Sequence, residues 1–211
     1  MKTVRKAGLI AGAVMFSATQ AAAQDAPSWE GFYLGAHAAY HHGEVDDKGC
    51  VGLCAHDHKV KEFYLAVQGG YDARVGENFI IGPMAWVGVT PVKDKAVLAP
   101  GIEVRGKTKF AGFVGARAGI ESGNVLPYAF AGYMRVTGTI RNDAAPIKKV
   151  KGKHDGFGVG VGAEYRVASN VSVDARYMYS DLSDEDYNMG GGTTTAGEHA
   201  HTLSLGVNFR F

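Results

Sequence analysis

The sequence predicts an all-β fold, an eight-stranded antiparallel up-and-down transmembrane β-barrel, and three observations predict it. Long segments alternate apolar residues with small or polar ones at a period of two, the period of a strand. Glycine, 30 of 211 residues, stands at about twice the usual ~7% and falls inside the alternating segments as well as between them. Beyond the first residues, no apolar run is long enough to cross a bilayer as a helix. A soluble sandwich has little use for so many glycines, because each leaves nothing to pack. A narrow barrel does, since its crowded lumen and strongly bent wall need small residues.

Residues 1–23 read as a secretory signal peptide. Lys2, Arg5 and Lys6 precede an apolar run from Ala7 to Ala18, and Ala21 and Ala23 give a small-x-small cleavage pattern. Residues 24–211 are then one barrel domain. Removing the three leader cations from 22 Lys and Arg leaves 19 against 21 Asp and Glu, a near-neutral balance that suggests no nucleic-acid partner and no polybasic membrane anchor.

The first strand is expected over Gly31 to His41, with Phe32, Leu34, Ala36, Ala38 and Tyr40 outward and Tyr33, Gly35, His37 and Ala39 inward. The second, Val60 to Asp72, turns Phe63, Leu65, Val67 and Tyr71 out and Glu62, Tyr64 and Gln68 in. The third, Phe79 to Thr90, reads as the least regular and carries Pro83, a residue that donates no ladder bond and marks a bulge or a weakly paired position. The fourth, Lys107 to Ile120, places Phe110, Val114, Ala116 and Ala118 out and Lys109, Phe113 and Arg117 in. For the fifth, Leu126 to Thr139, the expectation is Tyr128, Phe130, Met134 and Val136 out and Tyr133 and Arg135 in.

The last three strands carry the strongest pattern. Phe157 to Val167 alternates with glycines and with Glu164 and Arg166. Val171, Val173, Ala175, Tyr177 and Tyr179 alternate with Ser172, Asp174, Arg176 and Met178. The final segment sets Leu203, Leu205, Val207, Phe209 and Phe211 against Thr202, Ser204, Gly206, Asn208 and Arg210. Eight is an even number suited to a closed meander, and the connections sort by length: short after strands two, four and six, long and polar after the others. Short turns are therefore expected on the periplasmic side and long loops outside, with Tyr and Phe at the strand ends forming interfacial girdles.

The segments WEGFYLGAHAAY, ARAGIESGNVLPYAFAGYMRV, GVGAEYRVASNVSVDARYMYSDL and the terminal LGVNFRF resemble the small eight-stranded outer-membrane β-barrel proteins of Gram-negative bacteria, the porin-family or opacity-like surface antigens. The likeness covers nearly the whole chain after the leader. It implies a bacterial outer-membrane location, outer-membrane lipid and lipopolysaccharide as neighbours, and a terminal Phe211 that resembles the signal read by the barrel-insertion machinery. It also implies a structural or surface-recognition role, with some members similar to haemin-binding proteins.

Inward charges in a confined lumen must pair. Arg117, Arg135, Glu164, Arg166, Asp174, Arg176 and Arg210 are expected to form one network. If Val167 pairs with Val171, Glu164 lies opposite Asp174, with Arg176 and Arg166 on the diagonals. The network reads either as a selectivity constriction or as a structural plug, and a lumen of eight strands, just wide enough for side chains, favours the plug.

The first loop holds both cysteines, Cys50 and Cys54, with His41, His42, His56 and His58 around them. In an oxidising compartment the cysteines read as a disulfide. The competing reading is a metal or haem site, in which Cys and His at such spacing ligate zinc, copper or haem, with His41, His42, His56 and His58 as the metal candidates, His56 and His58 for haem, and His199 and His201 able to come close; metal and disulfide exclude one another if both thiols are ligands. The spacing matches no strong zinc signature. Loops two and three carry Lys93, Lys95, Arg105, Lys148, Lys149, Lys151 and Lys153, which read as solvated loops or as contacts to lipopolysaccharide phosphates. Such loops also suit a host or phage surface ligand. No catalytic set emerges: His201 and Ser204 are three apart in a strand and face opposite ways, so no enzyme and no resident cofactor is expected. The expected assembly is a monomer.

Overall fold

The structure is a computed structural model, and it describes residues 28–48, 58–90, 94–99, 102–142, 149–188 and 193–211. The leader, Cys50, Cys54, His56 and the glycine run 190–192 lie outside the described residues.

The strands are β1 (Gly31–Lys48), β2 (His58–Val75), β3 (Phe79–Val89), β4 (Asp94–Ala99), β5 (Ile102–Ile120), β6 (Val125–Asn142), β7 (Lys149–Ala168), β8 (Val171–Asn188) and β9 (Thr193–Arg210). All pairings are antiparallel. β1 pairs with β2 and with β9, the meander runs from β9 back to β5, and β3 pairs with β5 to close the ring. Eight strands thus make the barrel. The ninth, β4, forms a hairpin with the start of β5 inside the second loop. Closure leaves no edge strand in the eight-stranded ring among the described residues, as a lipid-embedded sheet requires.

Most strands are longer than the membrane demands. β1, β2, β6, β8 and β9 each have 18 residues, against the 9–11 that cross a bilayer. The excess lies toward the loops, so residues 41–48 and 58–60 of the expected first loop continue the ladder. The turns on the other side are short, at 76–78, 121–124 and 169–170.

The alternation sets inside and outside. Phe32, Leu34, Tyr40, Phe63, Val114, Val161, Leu205 and Phe209 are exposed on the outer wall, while Tyr33, His37, Gln68, Arg117, Glu164 and Asn208 are buried within. Two expectations need correction here. β3 is the most regular strand, exposed and buried in strict alternation from end to end. Its register with β2 passes from Gly70↔Met84 to Ala73↔Ile81 without a slip, so Pro83 marks a gap in the ladder and no bulge. Lys109 sits at the irregularity between Thr108 and Phe110 and is exposed, so it does not point inward.

The larger correction concerns β6, whose phase is the reverse of the expected one. Leu126, Tyr128, Phe130 and Met134 are buried in the lumen, and Ala129, Ala131, Tyr133 and Arg135 face outward or lie partly exposed. The physical reason is that this lumen is not polar throughout. Tyr64, Trp86, Phe113 and Phe130 fill its middle: Tyr64 stacks on Trp86 at 6.0 Å between centroids, Trp86 on Phe113 at 5.9 Å, and Phe113 meets Phe130 edge-on at 5.8 Å. β6 contributes large rings to that layer, and the glycine row of β7 accommodates them. A Cβ at Gly160 would collide with the Phe130 ring, and one at Gly162 with the Tyr128 ring. Glycine is abundant here because the β6 rings lie over the glycines paired with them on neighbouring β7.

Candidate functional site

The lumen between the aromatic layer and the short turns holds the densest chemistry of the molecule. Arg117 on β5 donates Nε to Asp72 Oδ1 at 2.9 Å and Nη2 to Asp72 Oδ2 at 2.5 Å. Its Nη1 donates to Glu164 Oε1 at 2.5 Å. Arg210 on β9 contacts the same two acids, Asp72 Oδ2 at 2.7 Å and Glu164 Oε2 at 3.4 Å. Ser172 Oγ donates to Glu164 Oε2 at 2.7 Å. Two guanidiniums and two carboxylates therefore alternate in a closed, charge-balanced ring. All four are buried, with Arg117 at 2% exposure and Glu164 at 0%. Such a ring satisfies the demand that desolvated charges be paired and hydrogen-bonded, and bidentate Arg–carboxylate geometry is its strongest form.

One step toward the loops, Asp174 accepts from Tyr128 Oη at 2.7 Å and lies 3.5 Å from His37 Nε2. Arg176 donates to Gln68 Oε1 at 2.7 Å, and Gln68 donates to Asn208 Oδ1 at 2.7 Å. Arg117 also stacks over the Tyr33 ring at 4.0 Å, a cation–π contact strengthened by its dry surroundings.

The lumen is closed beneath by Trp29, just ahead of β1. Gly31, with φ of 119°, adopts a backbone that L side chains rarely take, and a Cβ there would collide with the Phe211 carbonyl. Trp29 packs with Ile80 and Leu126. Its indole Nε1 donates to the Gly123 carbonyl at 3.1 Å and its amide to Glu121 Oε1 at 3.1 Å. Arg166 lies over its ring at 4.2 Å and Arg210 at 5.2 Å, while Arg210 Nη1 donates to the Trp29 carbonyl.

Six of the seven residues expected in the lumen network lie there: Arg117, Glu164, Arg166, Asp174, Arg176 and Arg210. Arg135 does not. With β6 in its actual phase, Arg135 faces outward and pairs with Asp155 at 2.5 Å, and Tyr133 donates to the same carboxylate. Asp155 lies beyond the apolar row of β7, and the Arg135 hydrogen bond, aided by Tyr133, holds its carboxyl down at about 2.

Glu164 does sit opposite Asp174, as expected. The turn closes one residue later, pairing Val171 with Ala168 rather than with Val167, across a register shift after Arg166. The diagonal arginines are not the main partners. Glu164 is met by Arg117 and Arg210 from other strands, because side chains crossing so narrow a lumen reach farther than the hairpin diagonal. Sequence reasoning passed over Asp72 and Trp29. Both share the inward parity, Asp72 with Gln68 and Trp29 with Tyr33, but both stand at strand ends, where parity competes with turn signals.

His41 and His42 point to opposite faces. His41 is buried at the upper lumen, 3.0 Å from Thr202 Oγ1 and 2.8 Å from Glu198 Oε1, whereas His42 is on the outer row beside His201. The two cannot serve one ion. His58 is placed only by its backbone, opposite Val45, and no group of three or more His, Cys, Asp or Glu able to hold a metal occurs among the described residues. His201 is exposed while Ser204 is buried, on opposite faces of β9.

Residues 9–211 match the family described as outer membrane protein beta-barrel domain. The chain is similar to the 22 kDa outer membrane protein of Rhizobium leguminosarum bv. viciae, 27% identical over 194 residues that cover 92% of this chain and 83% of the relative. It is also similar to the 31 kDa outer-membrane immunogenic protein of Brucella melitensis biotype 1, 26% identical over 215 residues, 92% and 89% of the two chains. Among solved structures, Neisserial surface protein A superposes with a TM-score of 0.53 at 21% identity, covering 85% of this chain and 97% of that one. The attachment invasion locus protein of Yersinia pestis, solved with a heparin analogue, gives 0.53 at 16%, covering 86% and 99%. At these identities the structures speak for the fold.

Proposed function

The chain belongs to the outer membrane protein β-barrel family and resides in the bacterial outer membrane, and from that premise we propose that it is a structural, surface-recognition barrel with a plugged lumen. The observation that carries this reading is the continuous filling of the lumen. From the turns upward come the Trp29 floor, the Arg117–Asp72–Arg210–Glu164 ring, the Asp174–Arg176 layer and the rings of Tyr64, Trp86, Phe113 and Phe130. A solute on this path must break charge-assisted hydrogen bonds and then separate packed rings, and an eight-stranded wall has no spare diameter to offer. The barrel serves to hold its loops above the membrane, and their ligand is a surface molecule of another cell or a phage. No catalytic step belongs to this reading.

Planar-bilayer recording tests the plug. The refolded protein is expected to give no stable conductance, and large, steady openings would overturn the reading. Haem or zinc capture by the first loop is a distinct reading that rests on His56 and His58. A titration with haemin and with zinc, comparing the parent with His56→Ala/His58→Ala, separates the two, since saturable binding lost in the variant would assign the loop to ligand capture.

A further inference from the structure

The outer row where β1 meets β9 gathers three imidazoles at its loop-side end. His42 on β1 is the direct cross-strand partner of His201 on β9, and one row nearer the loops Glu44 is opposite His199. The same two rows continue on β8, with Tyr179 opposite His201 and Asp181 opposite His199. His201 and His199 are exposed and His42 is half-buried. The two-residue period puts all of them on the outer face, whereas His41 turns inward to Thr202 and Glu198.

His201 is held as a metal ligand is held. Its Nδ1 lies 2.6 Å from Tyr177 Oη, and Tyr177 and Tyr179 flank its ring with centroids 5.9 and 5.5 Å away. A hydroxyl that accepts the Nδ1 proton fixes the tautomer whose lone pair is on Nε2, the state in which histidines bind metal. His42, across the ladder, has no hydrogen bond or ion pair among the described residues, so its ring nitrogens are available. Directly opposed residues of an antiparallel pair have Cβ atoms about 4.5–5.5 Å apart, a span that two imidazoles can bridge through one ion at about 2.0–2.1 Å from each nitrogen. His199 is 3.5 Å from Asp181 Oδ1 and 3.3 Å from Tyr179 Oη. It stands behind the pair rather than in it, in keeping with the absence of any group of three or more metal-holding residues among the described ones. The carboxylates of Glu44 and Asp181, one row toward the loops, offset the charge of Lys61, which neighbours His42 on β2.

We infer that His42 and His201 form a binding site for a divalent transition-metal ion, copper before zinc, with water completing its coordination. The donor set selects the ion. Paired imidazoles suit Cu²⁺ and Zn²⁺, with Cu²⁺ the tighter of the two, whereas Mg²⁺ and Ca²⁺ ask for oxygen ligands. The position gives the site a structural consequence. β1 and β9 are the first and last strands of the ring and pair with each other, so an ion between His42 and His201 clips that seam from outside. Only the folded barrel brings the two together, and a ligand that binds the folded chain alone stabilises it by mass action. The site uses no residue of 49–57, and it depends neither on capture by the first loop nor on the state of the lumen.

Calorimetric titration of the untagged, refolded barrel with Cu²⁺, Zn²⁺ and Mg²⁺ tests this, together with electron paramagnetic resonance of the Cu²⁺ complex. The parent is expected to show one saturable Cu²⁺ site whose spectrum carries coupling to two imidazole nitrogens, weaker binding of Zn²⁺ and none of Mg²⁺. His42→Ala and His201→Ala each abolish that site, and His56→Ala/His58→Ala leaves it in place. Cu²⁺ raises the urea unfolding midpoint of the parent and leaves that of His42→Ala where it was. The inference is overturned if the parent shows no saturable Cu²⁺ binding, or if binding survives both His42→Ala and His201→Ala. Loss in His56→Ala/His58→Ala alone overturns it as well, and assigns the ion to the first loop. Folding of each variant is read from its heat-dependent gel shift, and should one of the two single variants not fold, the other decides.

Discussion

The lumen is filled by two layers built on opposite principles. Near the turns, Arg117, Arg210, Asp72 and Glu164 are joined by specific, directional contacts in which every charge has a named partner. Toward the loops, Tyr64, Trp86, Phe113 and Phe130 fill the same cross-section by shape, with ring contacts near 6 Å. Removing one member therefore has different consequences. In the ring, a lost side chain strands an opposite charge in a dry place. In the aromatic layer it leaves a hole whose cost depends on how far the neighbours relax. Specificity of register belongs to the first layer and bulk exclusion to the second.

The sharpest way to break the contrast is to take one cation from the ring. Arg117→Leu leaves Asp72 and Glu164 sharing Arg210 alone and is expected to cost about 3–5 kcal/mol, read from urea unfolding of the barrel in lipid bilayers. A loss under about 1 kcal/mol would mean that water already screens the ring. Phe113→Ala in the upper layer follows, at about 3 kcal/mol, and unlike the first it should be largely recovered by a volume-restoring Phe113→Leu. If Phe113→Leu is as damaging as Phe113→Ala, the layer is held by ring geometry rather than by volume.

Trp29→Ala empties the floor between Ile80 and Leu126 and removes the surface on which Arg166 and Arg210 rest, and is expected to cost about 3 kcal/mol. Smallest is the exterior pair. Arg135→Ala should leave the unfolding midpoint where it was, because an exposed pair contributes little, but it should release Asp155. In the parent the Asp155 carboxyl, followed by NMR, should titrate near 2; in Arg135→Ala it should return toward its ordinary 3.8. The depressed value means that whatever stability the pair adds is complete above about pH 4 and lost as pH falls toward 2. An unshifted titration in the parent would show that the outer charges do not pair.

Much of this architecture is legible in the order of residues. Parity alone places Tyr33, Gln68, Arg117, Glu164, Asp174 and Asn208 inside, whereas Glu164 opposite Asp174 rests, in the sequence, on a Val167–Val171 pairing that the structure replaces with Ala168–Val171 and a register shift. It fails at β6 for a definite reason. The rule that apolar residues face lipid assumes a wet lumen, and here Tyr128, Phe130 and Met134 serve a dry one, while Ala129 and Ala131 suffice against acyl chains. The β3 pattern, with Ile80, Met84 and Trp86 buried, carries the same message, and reading β3 and β6 together would have revealed a lumen with an apolar half. Ring partners were not legible, because Arg117 meets Asp72 across 45 residues and Glu164 across 47. Those separations are set by closure of the barrel and by no local spacing.

The floor of the barrel joins the segment ahead of β1 to the end of β9. Trp29 precedes every strand, yet its partners are Gly123, Arg166 and Arg210, and the amide of Phe211 donates to the carbonyl of Phe32. Arg210 therefore serves three contacts at once, a guanidinium in the ring, a hydrogen bond to the Trp29 carbonyl and the Tyr33 pairing at the turn-side end of the β1–β9 seam, so the closing seam and the floor of the lumen are a single piece of construction.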